Sequence, residues 1–316
     1  MRILVLGNAT LDIILRIKSD IFEGDKIEVE ETFFSLGGGA LNAATTFKNF
    51  GINYLSYFRL GNDIIAKNIL AKIREQNLKS KIFFHKGHSQ FSVVVLGRNK
   101  ERTIFVWRGI SDHFSLKELS SLEFKKDDFF YLTTLNTSPL VFLKFLKNIK
   151  RNNSLICLNP SYQFLKSPKA LSALSLTDVL ILNYKEACAL MKKKSKAWKL
   201  GKEIKNFLKI KILVITLGDK GSLTFYENKV FEAGIFKPKN FIDTTGAGDA
   251  FSSAFFSNLV LNKGVLNEEI VKKSIVWGSA NASSNIEKLG AQIGILKKKD
   301  LLKYETQILK IKSWLS

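Results

Sequence analysis

The stretch Asp243-Thr244-Thr245-Gly246-Ala247-Gly248-Asp249 follows an extended segment and opens an apolar helix. Three consecutive small residues, Gly246, Ala247 and Gly248, leave bare backbone N–H groups at a helix N-terminus, where amides and macrodipole both favour negative charge. A phosphoryl group in transfer spreads its charge over the equatorial oxygens, so donors fixed in advance and aimed there are what such a reaction requires. Asp249 falls beside that anion site, where a carboxylate can take the proton of an attacking hydroxyl as general base. Asp243 or Asp249 alone would read as a helix cap; the whole seven-residue string favours the catalytic reading.

On either side of this stretch the chain alternates between two periods. Ile3 to Leu6, Tyr54 to Phe58, Phe129 to Leu132, Ser154 to Leu158, Val179 to Leu182 and Ile212 to Ile215 read as strands. Helical patterns cover Ala40 to Asn49, Ile64 to Glu75 and Leu140 to Lys150. Strands apolar on both faces, alternating with helices, predict an α/β fold with a mostly parallel sheet covered by helices. Residues 247 to 286 read as two helices rich in Ala, Ser and Gly on one side, a pattern that serves tight packing or a flat ligand. Residues 13–34 and 91–108 lack a helical period, and GRNK (Gly97 to Lys100) between FSVVVL and RTIFVW is a hairpin signature. The division expected is an α/β core of residues 1–12, 35–90 and 109–316, with 13–34 and 91–108 as a small β lid over the active-site edge.

A second glycine run, Gly37-Gly38-Gly39-Ala40-Leu41-Asn42, also precedes a helix. Its glycines would let a ligand approach the backbone, and Asn42 could hydrogen-bond a hydroxyl. The spacing is not GxGxxG and no GxxxxGK[ST] occurs, so neither a dinucleotide fold nor a P-loop is indicated. With 316 residues the chain can bury a large core, and 46% hydrophobic and 24% charged residues are ordinary for a soluble domain. No apolar run is long enough to span a bilayer. Asp12 interrupts the apolar opening MRILVLGNATLDIIL, which reads as a buried strand and not a signal peptide. Cys157 and Cys188 make no CxxC, and His85, His88 and His113 form no metal-ligand pattern, so a reducing cytoplasm without a zinc site is expected. The formal charge of +21 arises from lysines scattered along the chain. That is a compositional bias which would steer an anionic substrate inward, and it makes no specific nucleic-acid site.

Two strings carry a resemblance. GGGALNAATTFKNFG, with Gly61 following Gly51, and DTTGAGDAFSSAF resemble the signatures of the ribokinase-like (PfkB) family of carbohydrate and nucleoside kinases, in the same order and at a similar separation. The resemblance implies a doubly wound, mostly parallel sheet flanked by helices with a small β-sheet lid, and transfer of the ATP γ-phosphate to a substrate alcohol, usually a hydroxymethyl group. Asp249 then matches the base and the amides of Gly246, Ala247 and Gly248 the anion hole. Asp12, Gly37, Gly38 and Asn42 match positions that hold substrate hydroxyls. Asn183 and Glu186 match an N-x-x-E element that organises Mg²⁺ and phosphates, often through water; a spacing of three puts both on one face if a helix begins there. Thr216, Gly218 and Gly221 match the nucleotide-side loop, and Asn281 is assigned to the nucleotide with them. Gly290-Ala291-Gln292 resembles the segment beside the adenine and monovalent-cation sites, so Asp243 and Thr245, with carbonyls near Asn285 and Gly290, could hold K⁺.

The chain departs from the pattern where ribokinase often has Lys after the Gly-Gly pair and this chain has Gly39, and where Ile293 replaces the usual Pro. Arg108 falls where some members that act on acidic sugars hold a carboxylate, a task suited to a bidentate fork; a surface Arg at a strand end is the plainer reading. The expected partner is a small sugar, with a nucleoside as the alternative acceptor because GNATLDI resembles nucleoside-kinase openings and Phe33, Phe91, Phe105 and Trp107 could stack a base. Lid pairing across a homodimer is also implied. A non-catalytic, basic nucleic-acid-binding protein gives no reason for base and anion hole to occur together.

Overall fold

The computed structural model describes the chain except for residues 98–101, 112, 134, 136, 153, 168–169, 307–308 and 316. Fourteen strands are present among the described residues: β1 (Ile3–Leu6), β2 (Thr10–Ile17), β3 (Val29–Gly37), β4 (Tyr54–Leu60), β5 (Ser80–Phe84), β6 (Phe91–Leu96), β7 (Arg102–Trp107), β8 (Phe129–Leu132), β9 (Ile156–Leu158), β10 (Val179–Asn183), β11 (Ile212–Thr216), β12 (Ser222–Tyr226), β13 (Lys229–Ala233) and β14 (Ile311–Leu315). The helices are α1 (Gly39–Asn49), α2 (Ile64–Glu75), α3 (Leu116–Ser120), α4 (Pro139–Arg151), α5 (Tyr162–Leu165), α6 (Ala170–Leu174), α7 (Tyr184–Met191), α8 (Ala197–Leu208), α9 (Ala247–Leu261), α10 (Glu268–Asn285) and α11 (Lys298–Glu305).

Ten strands form one sheet in the order β14-β13-β12-β11-β10-β9-β8-β1-β4-β5. From β11 to β5 every pairing is parallel; β12, β13 and β14 add an antiparallel edge. Side chains alternate between two cores. Ile3 and Val5 of β1 point into the layer built with α1, α2, α9 and α10, while Leu4 and Leu6 point into the layer built with α3 to α8. Burial on both faces explains why these strands read as unbroken apolar runs. Strand order reverses around β1, which has β8 on one side and β4 on the other. In such sheets the crevice beyond the carboxyl ends of the strands at the reversal is where ligands bind. Here that crevice is bounded by Gly7 and Asn8 after β1 and Thr133 after β8.

The second sheet has four strands in the order β3-β2-β6-β7. Its outer pairs are antiparallel, but β2 and β6 run parallel, so the lid is mixed and not two stacked hairpins. The hairpin expected at GRNK is present as the β6/β7 pairing; its turn lies outside the described residues apart from Gly97. Pairing of β2 with β3 runs from Thr10 opposite Gly37 outward. The boundaries expected at residues 13 and 34 therefore fall inside continuous strands, because one ladder carries Asp12 and Gly37 from the cleft into the lid. Of the aromatics considered for stacking, Phe33, Phe105 and Trp107 are exposed, whereas Phe91 packs on the core. No helix of the described residues is long and apolar enough to cross a membrane.

Candidate active site

The loop before α9 is held by one carboxylate. Asp243 Oδ1 accepts hydrogen bonds from the Thr245 N–H (2.9 Å) and hydroxyl (2.7 Å), and Oδ2 accepts from the Gly290 N–H (2.9 Å). This ties the loop to the segment after α10 and presents Gly246 as the N-cap with φ +76°. A Cβ on Gly246 would stand 2.6 Å from that of Ala291, in a backbone region that L side chains avoid, so only glycine serves here. The first N–H groups of α9 have no partner within the helix. One of the three expected donors is not bare: the Ala247 N–H closes a long 3.3 Å turn onto the Thr244 carbonyl. Gly248 is exposed and faces open space.

Asp249, in the first turn of α9, receives a 2.9 Å hydrogen bond on Oδ2 from Asn42 Nδ2. Asn42 Oδ1 in turn accepts from Gln292 Nε2 at 3.1 Å. Asn42 and Gln292 are both buried, so the carboxylate is held from behind by a two-residue amide relay. Burial raises the Asp249 carboxyl above the ordinary carboxylate range, opposed by the Asn42 bond, which favours the ion. Replacing Asn42 with Ala is expected to lower kcat about 10-fold. It should also move the acid limb of the pH–rate profile upward, because the lost donor stabilised the ionised carboxylate. Steady-state rates across pH 5 to 9 read both effects.

Facing Asp249 is the N-terminus of α1. Asn8 Oδ1 accepts from the Gly39 N–H (3.1 Å), and its amide nitrogen donates to Gln90 (3.3 Å). A Cβ on Gly39 would lie 3.2 Å from both Asp249 Oδ1 and Thr133 Oγ1. Asp12, on β2, is 8% exposed and accepts a 2.6 Å bond on Oδ1 from Ser92 of the adjacent β6. Its Oδ2 occupies the space that a side chain at Gly37 would need. Burial raises the Asp12 carboxyl, and the charges of Asp243 and Asp249 add to that against the Ser92 bond. Thr133 was not singled out from the sequence. Among the described residues its buried hydroxyl has no hydrogen-bond partner, and no sequence signal marks it because only sheet order brings β8 beside β1. Arg108 sits half-buried directly after β7, in the segment that returns from lid to core.

A cleft of about 510 Å³ opens from Ala247 and Gly248. Thr216, Gly218 and Gly221 line it on one side, and Phe236, Phe241 and Phe251 give it apolar walls. The turn that follows β11 also joins it to β12 as a hairpin, so the loop is both a structural turn and a wall of the cleft. From the 278–286 stretch, Ser279, Ala282, Ser283 and Ile286 face the cleft, at helical spacing. Asn281 does not, and its assignment to the nucleotide is corrected here. It is fully buried, its amide donates to the Ala250 carbonyl (2.8 Å) and its oxygen accepts from the Leu296 N–H (3.0 Å), so it braces α10 against α9.

Asn183 and Glu186 stand at the start of α7, next to Thr216 through the β10/β11 register. They form a reciprocal capping box: Asn183 Oδ1 accepts from the Glu186 N–H (2.9 Å), and Glu186 Oε2 accepts from the Asn183 N–H (2.8 Å). Burial pushes the Glu186 carboxyl up to about 7 despite these bonds, and the charge of Asp249 contributes. No cluster of three or more His, Cys, Asp or Glu among the described residues makes an all-protein metal cage. A single carboxylate suits a Mg²⁺ ion that keeps several waters and binds mainly through a ligand's phosphates.

An α/β core with a switch-point crevice, a carboxylate beside helix N-terminal amides and an apolar side cleft defines a ribokinase-like protein. The chain belongs to the pfkB family of carbohydrate kinases, whose family model matches residues 1–298. It is 24% identical over 306 residues to an ATP-dependent 6-phosphofructokinase of Thermoanaerobacterium thermosaccharolyticum, covering 93% of this chain and 90% of that one. It is 26% identical over 306 residues to a ribokinase of Staphylococcus aureus, covering 93% and 96%. The crystal structure of Methanocaldococcus jannaschii nucleoside kinase superposes with a TM-score of 0.75 at 20% identity, covering 96% and 97% of the two chains. The protein is thus a sugar or nucleoside kinase, a phosphotransferase with an alcohol acceptor.

Proposed function

We propose that the chain transfers the γ-phosphate of ATP to a hydroxymethyl group of a sugar, with Asp249 as base and the N-terminus of α9 as anion hole. The observation that carries this reading is the Asp249 carboxylate, raised in pKa and held by Asn42, next to the open amide end of α9 and the mouth of the cleft. ATP supplies the phosphoryl group and the leaving diphosphate. Asp249 takes the hydroxyl proton as the substrate oxygen bonds to phosphorus and the bond to the β–γ bridging oxygen breaks. Asp12, Gly37, Gly38 and Asn42 form the acceptor side, with Arg108 at the lid margin. Thr216, Gly218 and Gly221 accept the nucleotide, and Asn183 with Glu186 serves Mg²⁺. Asp243 and Thr245 flank a monovalent-cation site. The buried Asn285 Oδ1, which has no partner among the described residues and whose amide nitrogen donates to the Thr245 carbonyl, is an acceptor such an ion would satisfy.

The test is an acceptor panel of ribose, fructose, 2-keto-3-deoxygluconate and adenosine, each with ATP and Mg²⁺. Turnover of at least one acceptor is expected, and ATP consumption independent of every acceptor would overturn the reading. A nucleoside acceptor is the second reading, favoured by the similarity to a nucleoside kinase structure, and adenosine in the panel separates the two. The exposed Phe34, Ile104, Phe105, Val106 and Trp107 of the lid support a homodimer through that sheet. Sedimentation velocity should give a dimer, and Trp107→Lys should shift it toward monomer.

A further inference from the structure

We propose that Gly290-Ala291-Gln292 is a clamp that registers the base against the anion hole, with Gln292 as a positioning residue for Asp249. This rests on the phosphotransfer reading above and adds to it a residue that touches no reacting atom. Each of the three consecutive residues meets a different part of the site. The Gly290 N–H donates to Asp243 Oδ2 (2.9 Å), the carboxylate that folds the loop before α9. A Cβ added to Gly246, the N-cap of α9, would stand 2.6 Å from the Ala291 Cβ, so Ala291 backs the glycine at which the anion hole starts. Gln292 Nε2 donates to Asn42 Oδ1 (3.1 Å), and Asn42 Nδ2 donates to Asp249 Oδ2 (2.9 Å). All three residues of the clamp are buried.

The clamp is itself anchored. The Ser284 hydroxyl of α10 donates to the Gly294 carbonyl (2.7 Å), and Asn49 Nδ2, at the end of α1, donates to the Ile295 carbonyl (3.2 Å). The segment thus bridges α10 and α1 while it holds the loop and the residue behind the base. The polarity of the relay follows from its far end. An ionised carboxylate accepts and cannot donate, so Asn42 must turn its N–H to Asp249 and its oxygen away. That oxygen belongs to a buried side chain and needs a donor, which Gln292 supplies. Without it, the orientation of Asn42 that serves the ionised base strands a buried acceptor, which is costly. Asn42 is the one side-chain donor to Asp249 among the described residues. The titratable groups that interact with the Asp249 charge are Asp12 on β2, Tyr131 on β8 and Glu186 on α7, and all three are acids.

The experiment replaces Gln292 with Met, which fills a similar volume and cannot donate, and with Glu, which keeps the shape and cannot donate when ionised. Both should lower kcat about 10-fold, with the KM values for acceptor and ATP changed less than about 2-fold. Added to Asn42→Ala, Gln292→Met should cost less than about 2-fold more, because both changes break one relay. Independent, multiplying losses overturn the proposal, as does a wild-type kcat in Gln292→Glu, which would mean that the residue only fills space. Carboxyl ¹³C NMR of aspartate-labelled protein, with the Asp249 signal assigned by its loss in Asp249→Asn, reads the base without turnover. Its titration midpoint should rise by about one pH unit in Gln292→Met, because the bond that favours the ion is weakened; an unchanged midpoint overturns the proposal. Should the wild type phosphorylate no acceptor, the phosphotransfer reading fails, and the titration still decides whether Gln292 governs Asp249.

Discussion

Replacing Asp249 with Asn is expected to lower kcat about 10³-fold while ATP affinity changes little, because general-base catalysis is lost and the first-turn amides and the cleft stay in place. Asn keeps the size of the side chain and can still meet Asn42, so geometry is conserved and only proton acceptance is removed. Single-turnover transfer with ³²P-labelled ATP, beside nucleotide titration, separates the two quantities; a variant with near wild-type kcat would remove Asp249 from the role of base. The same change should stabilise the fold at neutral pH. A folded pKa raised above that of a free aspartate by burial means that the stabilising form is the protonated one, fully present below the unfolded pKa and lost as pH rises through the folded pKa. Above that range the wild type carries a desolvated anion, which Asn does not. The melting-temperature advantage of the variant should therefore be small at pH 4 and larger at pH 8.

Asp12→Ala is expected to lower kcat/KM for the acceptor about 100-fold, with the KM for ATP unchanged, because it deletes a carboxylate that can accept substrate hydroxyls through charge-assisted bonds. It also strands the Ser92 hydroxyl, now bonded to Asp12 Oδ1. Varying each substrate in turn distinguishes this from a general loss. An equal rise in both KM values would mean that β2 had shifted and that Asp12 serves the lid ladder, not the acceptor.

The two kinds of residue in this site differ in how far the sequence could reveal them. Gly246, Ala247, Gly248 and Asp249 are contiguous, so their relation is local: a helix start places them whatever the rest of the chain does. Asn183 and Glu186 are similar, since a spacing of three at a helix N-terminus already dictates the capping box. Asn281 shows the opposite case. On a helix that must present one face to α9 and another to the cleft, a shift of one residue turns a side chain by about 100°. Ser279, Ala282 and Ser283 reach the cleft and Asn281 is buried behind it.

Read alone, the chain determined its alternation of strand and helix, the burial of its strands on both faces and the small-residue start of α9, because these depend on periodicity and on neighbours within one turn. Tertiary structure alone decided the relay from Gln292 through Asn42 to Asp249, the approach of Thr133 to Gly39, and the parallel pairing that sets Ser92 against Asp12. These join segments from 80 to 250 residues apart. They exist because strand order reverses at β1 and the lid ladder returns to the same edge, a condition of sheet topology that no local pattern of residues carries.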